Sequence, residues 1–235
     1  MSANAAVPQL VPVIAGPTAG GKSDLAVEVA LHAHRELGVQ AEIVTADAFQ
    51  VYRGMDIGTA KPDMQERRGV PHWLVDVVEP WEGEGGGSFT VEDWLRLAER
   101  EIGEIAARGR WPIVAGGTHL YIKALLDGLF EGPEPDAALR AELAAMDPAA
   151  RRAELERVDP AAAARIHPND IRRTVRALEV FRQTGRPISE HQRQWDAPEG
   201  GGSQEPGRRG RYQLVVLDWE VEAINRRINA RVKAM

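Results

Sequence analysis

Cysteine is absent from the 235 residues. That excludes disulfides and thiolate metal sites, and it fits a chain that works in a reducing cytoplasm. Long apolar runs are missing as well. No stretch approaches the roughly 18 uncharged apolar residues that a bilayer-spanning helix needs. The N-terminus, MSANAAVPQLV, has neither the basic start nor the apolar block of a secretory signal. A net positive charge is also lacking. The formal balance of −6 argues against indiscriminate nucleic-acid binding, although a local basic face remains open. What is left is a globular composition, 43% hydrophobic and 27% charged, of a length for one large domain or one domain with a small insertion.

What is present starts with IAGPTAGGKSDLAVEVA, Ile14–Ala30. Gly16, Gly21, Lys22 and Ser23 fill the pattern G-x-x-x-x-G-K-[ST]. Glycines at 16, 20 and 21 let backbone amides turn inward onto anionic oxygens, and the positive end of the following helix adds to the field. Lys22 supplies a point charge. Ser23 supplies a hydroxyl that can ligate Mg²⁺, the one cofactor expected, and the six histidines show no metal-ligand spacing. The loop recognises phosphate oxygens and not what they are attached to, so a nucleotide and another pyrophosphate both remain open.

Short apolar runs alternate with amphipathic stretches through the first two-thirds of the chain, which predicts an α/β fold with a parallel sheet flanked by helices. Strands are expected at Val11–Ala15, Glu42–Ala46, Trp73–Val78 and Pro112–Ala115. Helices are expected at Ser23–Leu37, closed by Gly38, and at Thr90–Arg108, capped by Thr90 and following a glycine-rich break at 83–87. Thr118 is read as the N-cap of a helix running to Leu129. After Glu131 the texture becomes proline-punctuated and helical, with pieces at Asp136–Ala145, Pro148–Val158, Pro160–Ile166, Asp170–Thr184 and Pro187–Trp195. The expected organisation is a core over 1–130, an all-helical insertion over 131–196, a flexible linker over 197–210 and a return to the core over 211–235. Tyr212–Leu217 reads as a rejoining strand. Val221 opens a helix that meets Met235 without a stop signal, so the natural chain is expected to continue.

Two features add chemistry. Asp47 follows a strand directly, at the carboxyl edge where open α/β sheets place their ligands. It is a candidate magnesium-side carboxylate, general base or helix cap. The long loop after it offers Gln50, Tyr52, Arg53 and Lys61 as polar contacts. Between Arg165 and Arg193, seven arginines face three acids, a local charge of +4 in an acidic chain. Arg172, Arg173 and Arg176 lie near one helical face, as a solvated surface or as a grip on phosphates.

GPTAGGKS, TADAFQVYRGMDIGTAKP, PHWLVDVVEP, IVAGGTHLYIKALLDGL and DPAAAARIHPNDIRRTVRALEVFRQTGRP occur in one order. That series resembles the bacterial tRNA dimethylallyltransferases, also called tRNA isopentenyltransferases, over nearly the whole chain. The resemblance implies a P-loop NTPase-like core with a tRNA-gripping helical insertion. It implies transfer of a dimethylallyl group from its pyrophosphate to the exocyclic N6 of the adenosine beside the anticodon. Carried over by motif, Asp47 matches the family's base, with Lys22, Thr18 and Arg231 as further catalytic positions. Gly16, Pro17, Thr18, Ala19, Gly20, Gly21, Lys22 and Ser23 hold pyrophosphate. Asp47, Ala48, Phe49, Gln50, Thr118, Arg140, Arg172, Arg173, Thr174, Val175 and Arg176 fall where the family touches tRNA. The implied partners are the tRNA anticodon stem-loop and dimethylallyl pyrophosphate, acting on a monomer. Ala48–Phe49 stands where relatives often carry Ser–Arg or Ser–Ala, and Gly20 replaces a common serine. A small-molecule kinase and a prenyltransferase acting on free adenine nucleotides are the competing enzymes. A non-catalytic RNA- or nucleotide-binding module is the competing class.

Overall fold

The computed structural model describes residues 9–80, 89–129, 132–192 and 209–234. Two units emerge, one formed by residues 1–127 with 207–235, the other by 128–206. The glycine-rich break and most of the expected linker lie outside the described residues.

The first unit is built on five parallel strands: β1 (Val11–Ala15), β2 (Ala41–Ala46), β3 (His72–Trp73), β4 (Trp111–Gly116) and β5 (Tyr212–Val216). Their order across the sheet is β3-β2-β4-β1-β5. β1 and β2 are buried at every position, as strands covered on both faces must be; β1 is a continuous apolar run, whereas β2 also buries Glu42 and Thr45. Helix α1 (Lys22–Leu37) buries Ala26, Val27, Ala30 and Ala33, and Gly38 closes it in the left-handed conformation at φ 67°. A short helix α2 (Met64–Arg67) follows the long loop. Helix α3 (Val91–Ala107) opens on a capping box between Thr90 and Asp93. Helix α4 (His119–Asp127) packs against it. None of the described helices is long and apolar enough to cross a membrane.

The expected strand at Trp73–Val78 is mostly not a strand. Only His72 and Trp73 pair with β2. Leu74 and Asp76 then take left-handed φ of 59° each, which no strand tolerates. The amides of Asp76 and Val77 turn instead to Gln50 and Val51 carbonyls, tying this segment to the loop after β2.

Within the sheet, Glu42 is only 1% exposed. Its carboxylate accepts from Trp73 Nε1 at 2.6 Å, from Arg108 Nη2 at 2.9 Å and from Arg110 Nη1. Burial alone would push its pKa up, but the Arg110, Trp73 and Arg108 hydrogen bonds outweigh it and hold the carboxyl below its ordinary 4.5. A carboxylate depressed on folding contributes stability above its unfolded pKa and loses it as pH falls through the folded one. Glu42→Gln is therefore expected to lower stability at pH 7 and to flatten its fall as pH drops below the ordinary 4.5 of a glutamate. Urea melts on both sides of that value measure both effects.

The second unit is helical: α5 (Ala137–Ala145), α6 (Pro148–Val158), α7 (Pro160–Arg165), α8 (Ile171–Thr184) and α9 (Ile188–Gln192). Asp136, Asp147, Asp159 and Asp170 each cap a helix with a side-chain oxygen, and Pro148 and Pro160 occupy first-turn positions that have no amide to satisfy. Leu143, Leu155 and Leu178 form its fully buried centre. In the first unit, α10 (Val221–Ala234) follows β5.

Candidate active site

The carboxyl ends of β1, β2 and β4 meet at one edge of the sheet, and the chemistry-bearing residues of the first unit gather there. Between β1 and α1 the loop turns back on itself, with Gly20 N donating to Pro17 O at 3.1 Å. Gly21 has φ +88°, a conformation for which a side chain would be strained, so glycine is needed to aim the first helical amides inward. The Lys22 ammonium donates to Pro17 O at 2.7 Å. Burial lowers its pKa from 10.5; the Asp47 carboxylate opposes that and the Arg231 charge adds to it. Thr18 and Ser23 are exposed, and Ala19 has φ 56°.

Asp47 begins the loop after β2. Its Oδ1 accepts from the amides of Phe49 at 2.9 Å and Gln50 at 3.2 Å, an Asx turn that fixes the carboxylate plane. Among the described residues no donor reaches Oδ2, so one carboxylate oxygen is held and the other is free. Thr118 does not cap α4 with its side chain. Its hydroxyl accepts from Ala48 N at 2.9 Å, and its own amide donates to Ala46 O at 3.1 Å. These bonds lash the end of β4 to the start of the Asp47 loop. Gly116 permits that approach, since a Cβ there would lie 2.0 Å from Ala46 O. Beneath the loop, Trp94 stacks on Tyr121 at 4.6 Å and donates to Thr45 O at 3.0 Å. Burial, then the charges of Tyr52 and Asp47, push the Tyr121 phenol up to about 12, so it stays neutral.

The rest of the loop is internally stapled. Gln50 Nε2 donates to the carbonyls of Thr59 at 3.2 Å and Ala60 at 3.1 Å. Lys61 has three N–H donors and uses all of them, on Tyr52 O, Asp56 Oδ1 and Asp76 Oδ1 at 2.6–2.8 Å. Although it borders a cavity, Lys61 is a loop anchor. Phe49 is the exception to this tethering, with 63% of its surface exposed at the rim.

Two adjoining cavities open here, of about 300 and 690 Å³. Thr18, Asp47, Phe49, Gln50 and Thr118 line the smaller, and the phosphate loop, Lys61, Arg227 and Ala230 line the larger. Lys22, Ser23, Pro62, His72 and Arg231 line both. His72 Nδ1 donates to Val70 O at 2.9 Å, and burial lowers its pKa, so the ring is neutral at pH 7 and its Nε2 is a hydrogen-bond acceptor. Arg231 reaches Ala60 O at 3.4 Å, a weak hold that leaves most of its guanidinium for a ligand. His72, Arg227 and Trp219 were not singled out from the sequence. Only their position in the fold brings them to the phosphate loop, because 199 residues separate Trp219 from the Gly20 carbonyl it donates to.

Magnesium suits this site only in one form. Among the described residues no three His, Cys, Asp or Glu side chains group to hold a metal. The exposed Ser23 hydroxyl beside an anion cradle fits an ion held chiefly by ligand phosphates with one protein oxygen.

The remaining family positions lie in the helical unit. Thr174 and Val175 are buried, the former bonding Asp170 O at 2.8 Å. Arg140 and Arg176 both bind the buried Glu179 carboxylate. Arg172 and Arg173 are exposed at the start of α8.

The IPP transferase family model matches residues 50–235. The chain belongs to the IPP transferase family. It is 50% identical over 180 residues to the tRNA dimethylallyltransferase of Solibacter usitatus, which covers 75% of this chain and 55% of that protein. With the enzyme of the same name from Geobacter sulfurreducens it shares 47% identity over 229 residues, 95% of this chain and 67% of the other. A solved eukaryotic dimethylallyltransferase acting on tRNA aligns with TM-score 0.71 and 28% identity, over 97% of this chain and 52% of its own. The chain thus spans between about half and two-thirds of the length of these IPP transferases.

Proposed function

We propose that this member of the IPP transferase family moves a dimethylallyl group from its pyrophosphate to the N6 amine of the adenosine next to the tRNA anticodon. The observation that carries the reading is one cavity lined by a half-free carboxylate, Asp47, together with the cations Lys22 and Arg231. In that geometry the N6 lone pair attacks C1 of the donor and the C1–O bond breaks. The N6 proton passes to Asp47 Oδ2, and the electron pair leaves on pyrophosphate, whose growing charge the loop amides, Lys22 and Arg231 stabilise. Ser23 would hold a Mg²⁺ carried on that pyrophosphate, where the ion neutralises leaving-group charge. Thr18, exposed on the same wall, contacts the donor. A monomer acting in the cytoplasm, where its tRNA is found, is the setting this reading implies.

Incubation with labelled dimethylallyl pyrophosphate, Mg²⁺ and either tRNA or AMP tests this directly. Label in tRNA alone is the expected result. Label in AMP would move the protein to free-nucleotide chemistry, and ATP turnover with no label in either acceptor would make it a kinase. Label in neither, without ATP turnover, would leave a binding module.

Phe49 refines the acceptor side. It is an exposed aromatic ring on a turn fixed by Asp47, at the rim of the cavity that the target base must enter after leaving its stack. A base stacked on it is worth about 1–3 kcal/mol. Phe49→Ala is expected to weaken anticodon stem-loop binding by that amount in fluorescence anisotropy, with donor affinity unchanged.

A further inference from the structure

A closely bonded contact outside the residues already assigned lies between the C-terminal elements and the phosphate loop. Trp219, after β5, donates its indole Nε1 to Gly20 O at 3.1 Å. Arg227, one helical turn before Arg231 on α10, donates Nε to Ala19 O at 2.8 Å. The guanidinium of Arg227 lies over the Trp219 ring at 4.6 Å from its centroid. The loop residues between strand and helix thus have two consecutive carbonyls tied from outside. Carbonyls fixed in this way cannot swing inward, and inward carbonyls would repel an anion.

The other end of Arg227 points elsewhere. Its two Nη nitrogens have no hydrogen-bond or ion-pair partner among the described residues. Nη2 lies 3.8 Å from where a Cβ on Gly21 would stand, and the residue borders the larger cavity together with Lys22, Ser23 and Arg231. Stacking on Trp219 orients the planar group and shields one face from water, which strengthens its pull on an anion.

We infer that Arg227 is a second anion-binding arginine of this site, which fixes the phosphate loop through Ala19 O and contacts the pyrophosphate with its Nη pair, and that Trp219 is its positioning residue. The inference rests on the pyrophosphate reading of the cavity. It adds that the cradle is completed by α10 and not by the loop alone, with Arg227 and Arg231 one turn apart on the same helix.

Inorganic pyrophosphate with Mg²⁺, titrated calorimetrically into the full chain, is the probe. Transfer to tRNA is measured separately on the same samples. Arg227→Ala is expected to weaken pyrophosphate binding by about 10- to 100-fold, the range for a lost charged hydrogen bond. Arg227→Lys keeps the charge without the fork and should recover part of that loss. Arg227→Gln keeps a donor for Ala19 without the charge and should not. Trp219→Phe retains the aromatic face and loses only the Gly20 bond, so a smaller loss, about 2- to 10-fold, is expected. In the transfer assay the Arg227 loss should fall mainly on the donor KM. Wild-type pyrophosphate affinity in Arg227→Ala, or equal affinity in the Gln variant and the wild type, would overturn the inference. No pyrophosphate binding by the wild-type chain would instead overturn the pyrophosphate reading on which it rests.

Discussion

Asp47→Asn should lower the rate of transfer to tRNA by about 10²- to 10⁴-fold, the range for removing a general base, while pyrophosphate affinity stays within about twofold. The asymmetry follows from how the carboxylate is held. The asparagine side chain keeps an oxygen for the Phe49 and Gln50 amides, so the turn and the Thr118 lashing should survive. What is lost is the free Oδ2, replaced by an amide nitrogen that cannot take a proton. The adenine amine is a weak nucleophile because its lone pair is delocalised into the ring, so its proton must leave as the C–N bond forms. Asp47→Ala is expected to do more, since the loop amides also lose their acceptor, and donor KM should then rise as well. Single-turnover transfer and pyrophosphate calorimetry on the two variants separate the roles. A wild-type rate in Asp47→Asn would remove the residue as the base.

The phosphate loop and the parallel sheet were legible because each rests on local rules. Glycine spacing specifies an anion cradle, and continuous apolar runs specify strands buried on both faces. The apolar run at Trp73–Val78 misled because its destination is set by distant partners. Asp76 and Val77 satisfy their amides on the Asp47 loop, and two left-handed residues take the chain out of the sheet. Thr118 shows a second limit. A threonine before a helix has the composition of a cap, yet here its hydroxyl serves Ala48, 70 residues earlier. Lys61 looked like a ligand contact in the sequence, and only its two carboxylate neighbours reveal an anchor. Arg227 and Trp219 carried no local signal. Their meaning depends on β5 joining the edge of β1, which brings the end of the chain onto a loop near its start.

The arginine-rich helix calls for two variants with opposite expected results. Glu179 is fully buried, and it accepts from Arg140 Nε at 2.9 Å and Nη2 at 3.0 Å, from Arg176 Nη1 at 2.6 Å and from Asp136 N at 2.8 Å. Burial pushes its pKa up, but Arg140, Arg176 and the Asp136 amide outweigh it and keep the carboxylate charged. Replacing both Arg140 and Arg176 by alanine leaves a buried carboxylate with one amide donor. That is expected to destabilise the helical unit by about 3–5 kcal/mol, read as lost hydrogen-exchange protection along α5 and α8. Any fall in tRNA affinity in that variant would come with the unfolding of the surface that binds it. Arg172 and Arg173 differ in kind. Arg172 has no partner among the described residues, and Arg173 pairs only with Asp170 at 3.3 Å while 74% exposed. Their double alanine variant should keep stability within about 0.5 kcal/mol. Each phosphate contact it removes should reduce the logarithmic salt slope of tRNA binding by roughly 0.7–0.9. An unchanged slope would assign both side chains to solvent and return the +4 segment to a role in holding its own helices together.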